Sequence, residues 1–129
     1  MKKIIMSSII LSLALPSILF AGDKEDIIEH LLKSNAYLNK YNKPMAEYSK
    51  NGALEFWSSG GLMHEVSSSG RLGSYDNINM SIKHIEVIVL VPGKAAVAMY
   101  YTEGSMKPKG APQVSHYMTR VTQALVKEG

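Results

Sequence analysis

The pattern of apolar and polar positions divides the chain into three stretches with different periods. Positions 4–20 carry no charge and are rich in Ile and Leu, behind the basic start Met1-Lys2-Lys3. From Asp23 to about Asn39, the residues Ile27, Ile28, Leu31, Leu32 and Leu38 recur at helical spacing, which predicts a helix with one apolar face. Asp23 is positioned to cap its start, and Glu25 and Asp26 suit the positive end of the helix dipole. Lys43-Pro44 predicts a second helix start, because proline is favoured in a first turn. A short helix over Met45 to Ser49 would then close at the Asn51-Gly52 turn signal.

Beyond Gly52 the period changes to two. Ala53 to Ser58, with Phe56 and Trp57, reads as a strand, and Leu62 to Val66 as its return after Ser58-Ser59-Gly60-Gly61. Ser67 to Gly73 is polar and glycine-rich, hence a loop. Ile82 to Val91 is dense in β-branched residues and ends at the tight turn Pro92-Gly93. Ala95 to Met106 predicts another strand, Lys107 to Gln113 a projecting hairpin tip, and Val114 to Val126 the last strand. Two helices followed by long antiparallel strands predict an α+β fold, with N-terminal helices covering one face of a curved antiparallel sheet.

The first stretch has the secretory pattern: a basic start, an apolar core, and Leu19-Phe20-Ala21 as a cleavage site. Residues 1–21 are therefore expected to be a signal peptide and residues 22–129 the working domain. The chain is expected to be exported, to the periplasm or beyond. Membrane contact would come only from an uncleaved segment, which is near the lower length limit for spanning a bilayer.

The chain has 129 residues and a net charge of +3, of which Lys2 and Lys3 contribute two. No Lys/Arg cluster remains after residue 21, so nucleic acid is not an expected partner. With no cysteine, neither a disulfide framework nor a lipid-modified N-terminus is available. A domain this small is marginal by core burial alone, which makes a homodimer an expected partner state.

The order of helix, Ala53-Leu54-Glu55-Phe56-Trp57, Gly93-Lys94-Ala95-Ala96-Val97-Ala98-Met99-Tyr100-Tyr101, a Gly/Pro hairpin and Ser115-His116-Tyr117-Met118-Thr119-Arg120-Val121-Thr122 resembles the nuclear transport factor 2-like superfamily, SnoaL-like branch. The Thr119-Arg120-Val121 strand is also similar to its counterpart in the calcium/calmodulin-dependent kinase association domain. The resemblance covers most of Asp23 to Gly129 and implies a cone-shaped pocket between helix and sheet. Members usually continue past a Lys-Glu-Gly like that of Lys127 to Gly129 into one more strand. By resemblance, then, residues 22–129 lack the final strand, through truncation or because a partner subunit covers the edge.

Strand alternation decides which side chains share a face. His116, Met118, Arg120 and Thr122 have one parity; in the preceding strand Met99, Tyr101, Glu103 and Ser105 share another. By resemblance, Arg120 points into the pocket, and His116 goes with it. The candidate ligand-binding residues are thus Arg120, His116, Tyr101 and Trp57, and the candidate catalytic residues Glu103 and His116. Arg120 would grip a carboxylate with its planar fork, and His116 would exchange a proton near neutral pH. The plainer alternative is a structural Arg120–Glu103 ion pair.

Other chemistry finds little support. His64-Glu65 starts like a zinc-protease motif, but Ser68 stands where the second histidine is needed. The four histidines lack ligand spacing, so no metal and no cofactor are expected. Asn79-Met80-Ser81 is a formal glycosylation acceptor, relevant only to a eukaryotic secretory route. Isomerases of the superfamily use an acid/base set that this chain does not reproduce. The expected function is an exported domain whose pocket binds a small, acidic organic molecule. The alternatives are an isomerase- or lyase-type enzyme using a Glu/His base, or a dimerisation and interaction domain.

Overall fold

The computed structural model describes residues 2–45, 48–56, 61–67 and 75–128, with side chains from residue 22 on. The class is α+β: one helix, a two-stranded sheet and a three-stranded antiparallel sheet. Helix α1 spans Lys2–Tyr41. Strands β1 (Ala53–Glu55) and β2 (His64–Val66) pair as a hairpin, and β3 (Tyr75–Val91), β4 (Ala95–Pro108) and β5 (Val114–Val126) form the main sheet in that order.

Helix α1 runs unbroken through Asp23, so Asp23 is not its cap. The Asp23 carboxylate instead accepts a hydrogen bond from the Gly93 backbone N–H at 2.6 Å, fastening the helix to the β3–β4 turn. The helix ends at Tyr41 because Asn42 adopts the left-handed conformation (φ 55°), which asparagine tolerates better than most residues. The expected second helix does not form: Met45, Tyr48 and Ser49 are not helical, and residues 46 and 47 lie outside the described ones. Tyr48 instead donates its hydroxyl to Glu55.

The core lies between α1 and one face of the main sheet. Leu31, Val87, Ala96, Ala98 and Tyr100 are buried there, with Ile27, Ile28, Ile82, Ile85, Val121 and Leu125 packed around them. Ala96 and Ala98 are small, which lets the helix approach the sheet closely.

A seam of asparagines joins the helix to the border of β3. Asn35 and Asn39, four apart, share a helix face, and Asn42 follows just past the helix end. The Asn39 amide donates to the Met80 carbonyl (2.8 Å) and accepts from the Met80 N–H (2.9 Å). Asn35 also donates to that carbonyl at 2.9 Å, and the Asn42 side chain accepts from the Ile78 N–H at 3.2 Å. These side chains take the places that a neighbouring strand's peptides would occupy.

Strand β3 begins seven residues before the expected Ile82, and its interior holds a bulge. Lys83 pairs with Tyr101 and Glu86 with Met99, so His84 and Ile85 together face one residue of β4. His84 has φ 54°, a conformation uncommon outside glycine. At Gly104 (φ 155°) a Cβ would lie 1.9 Å from the Asn79 carbonyl oxygen, so only glycine lets β4 lie flush on β3 there.

Candidate functional site

Residues 96, 98 and 100 of β4 are buried under the helix, so Met99, Tyr101 and Glu103 point to the opposite face. The register carries this face into the neighbouring strands. Lys83, Tyr101 and Arg120 form one row across the sheet; Ser81, Glu103 and Met118 form the next; Glu86, Met99 and Thr122 flank them on the other side. Tyr101, Glu103, His116 and Arg120 therefore share one face, the grouping that was expected. That face is the one away from α1, open to solvent, and not the lining of a cone between helix and sheet. Trp57 lies outside the described residues.

Two shallow open depressions occupy this face. One, of about 420 Å³, is lined by Tyr101, Met118, Thr119 and Arg120. The other, of about 290 Å³, is lined by Asn79, Ser81, Glu103, Gly104, Ser105, Ser115 and His116. The first is amphipathic: an aromatic ring and a thioether beside a guanidinium. The second is polar throughout.

The Arg120–Glu103 ion pair does not form. Glu103 is engaged by the Lys83 ammonium instead. That hydrogen bond and charge hold the Glu103 carboxyl below the usual carboxylate range, and His116 and His84 act in the same direction. Among the described residues the Arg120 guanidinium makes neither an ion pair nor a hydrogen bond, and the residue is exposed. His84 meets the Tyr101 ring edge-on at 5.9 Å between centroids, which steadies one wall of the larger depression.

Lys83 and His84 belong to this face without having been expected there. Lys83 lies in a predicted strand, and its pairing with Glu103 follows once the register is known. His84 reaches Tyr101 only because of the bulge, which a strict period of two does not reveal. No group of three or more His, Asp or Glu side chains among the described residues is placed to hold a metal ion. In comparisons with known proteins, the chain matches no family model, no curated protein and no solved structure.

Proposed function

We propose that this chain is an exported binding module that holds a small acidic organic molecule on the open face of its sheet and does not turn it over. The observation that carries the reading is the exposed Arg120 guanidinium, without a partner among the described residues, in a depression walled by Tyr101 and Met118. A guanidinium offers two parallel N–H donors to a carboxylate, and the ring and thioether offer apolar contact to the rest of the molecule. Lys83, in the same row, is matched by Glu103, and no carboxylate lines the depression that holds Arg120.

The enzyme alternative is less well supported. A general base works best with its pKa near the working pH, whereas Lys83 holds the Glu103 carboxyl in the opposite direction. Export follows from the N-terminal pattern, with the processed chain starting at Gly22.

The reading is tested by titrating the full chain with aromatic and aliphatic monocarboxylates while following amide shifts by NMR. Shifts should cluster at Tyr101, Met118 and Arg120. Arg120→Met should weaken binding about tenfold or more, and Arg120→Lys should restore it only in part, since a point charge lacks the fork. Equal affinity of the wild type and Arg120→Met would overturn the assignment.

A further inference from the structure

We propose that Asn51–Gly52 is a self-modifying site, at which Asn51 loses its amide as ammonia in the folded protein, and that the Glu128 carboxylate sets the rate by clamping the turn around it.

Asn51 is the only one of the chain's six asparagines that is followed by glycine. The pairing matters because the peptide nitrogen of the next residue is the nucleophile, and glycine has no side chain to shield it. The fold demands glycine at this point. Gly52 has φ 79°, and a Cβ on it would lie 2.3 Å from the Val66 carbonyl oxygen across the β1–β2 hairpin. No such demand falls on position 51. Asn51 is exposed, its φ is not left-handed, and among the described residues its side-chain amide makes no hydrogen bond. The amides of Asn35, Asn39 and Asn42, by contrast, are engaged with β3.

Three successive peptide N–H groups close the turn. Lys50 donates to Glu128 Oε2 at 3.1 Å, Asn51 to Ser49 Oγ at 3.3 Å, and Gly52 to the Ser49 carbonyl at 2.7 Å. The Ser49 hydroxyl in turn donates to Glu128 Oε1 at 2.6 Å. Glu128 therefore holds Ser49, and Ser49 holds Asn51 and Gly52. The Lys127 N–H donates to the Lys94 carbonyl at 2.8 Å, which ties the clamp to the main sheet.

Ring closure requires the Gly52 nitrogen to give its proton to hydroxide and to swing onto Cγ of Asn51. The bond to Ser49 retains that proton and fixes the direction of the nitrogen. A nearby carboxylate also opposes the negative charge that deprotonation creates. Once the N–Cγ bond forms, the Cγ–Nδ2 bond breaks, and the amide takes a proton from water and leaves as ammonia. Water then opens the succinimide ring. Attack at Cγ breaks its bond to nitrogen and gives aspartate; attack at the backbone carbonyl breaks the other bond and gives isoaspartate, whose main chain runs through Cβ and Cγ. The extra backbone atom lengthens the link into β1. Gly52 then cannot keep both its bond to Ser49 and its fit against Val66, and the Ala53–Val66 pairing loosens.

The test follows the full chain during incubation at neutral and mildly alkaline pH. A glutamate-specific protease releases a peptide covering Tyr48 to Glu55, whose aspartyl and isoaspartyl forms are separated against synthetic standards. Asn51 should convert in the folded wild type, faster at the higher pH, while Asn77 and Asn79 stay intact. Glu128→Ala, at an exposed position, should convert roughly fivefold faster with an unchanged circular dichroism spectrum. Ser49→Ala, which removes the hydroxyl from the same clamp, should do likewise. In the isoaspartyl product the amides of Ala53 and Val66 should exchange faster. An Asn51 that stays intact in the folded chain while the guanidinium-unfolded chain converts would overturn the site. Equal rates in the wild type and both variants would overturn the clamp. Unchanged exchange at Ala53 and Val66 would overturn the loosening of the hairpin.

Discussion

Tyr100 shows how the side of a strand on which a residue falls decides its chemistry. It follows Met99 and precedes Tyr101, both of which meet solvent, yet its own ring is buried in the core and its hydroxyl lies 3.1 Å from the Gln123 side-chain oxygen, to which it donates. Burial pushes its pKa from 10 up to about 12. The sign follows from linkage. The folded state holds the phenolic proton more tightly than the unfolded chain, so the associated stability is complete below pH 10 and is lost as pH rises towards about 12. The loss amounts to roughly 2–3 kcal/mol at an ordinary 1.36 kcal/mol per unit. Tyr100→Phe should flatten this part of the curve, as read by urea unfolding at a series of alkaline pH values. An unchanged alkaline slope in the variant would contradict the burial argument.

At the scale of elements, the helix is held to the sheet by two different means that mutation can separate. Leu31 contributes apolar burial, and Leu31→Ala should cost about 2–5 kcal/mol. Asn39 contributes hydrogen bonds; Asn39→Ala strips the Met80 N–H of its acceptor and should cost about 1–3 kcal/mol. Denaturant melts of the two single variants check both values, and a change within error for Leu31→Ala would mean that the helix is not docked. Helical spacing made Leu31 legible beforehand, and the last strand, Val114–Val126, has the bounds expected of it. The start of β3 was not legible, because Asp76, Asn77 and Asn79 are poor strand formers. Asn77 and Asn79 pair with β4 there, while Asn39 and Asn42 satisfy peptide groups on the other border. Alternation likewise grouped Tyr101, Glu103 and Arg120 correctly, but alternation alone does not say which face receives the helix. The small side chains at Ala96 and Ala98 carried that information, since close helix approach needs them.

For the molecule as a whole, the core is thin. Among the described residues only Ala98 is fully shielded, and the largest buried side chains, Tyr100 and Met80, keep some exposure. One layer of helix on one face of a three-stranded sheet leaves half of the sheet's side chains in water. The asparagine seam has a consequence for how such a molecule fails. Runaway fibre growth by strand addition needs two free borders on each subunit, one to accept and one to offer. Here α1 runs beside β3, from Asp23 at the Gly93 turn to Asn42 at Ile78, and already satisfies peptide groups on that border. Within the main sheet, among the described residues, β5 is the border left to recruit a strand. If two molecules join through β5, the enlarged main sheet ends on both sides in a β3 border whose Tyr75–Met80 part is already occupied, and addition of a further strand is opposed there. Three side-chain amides thus act as a stop against polymerisation.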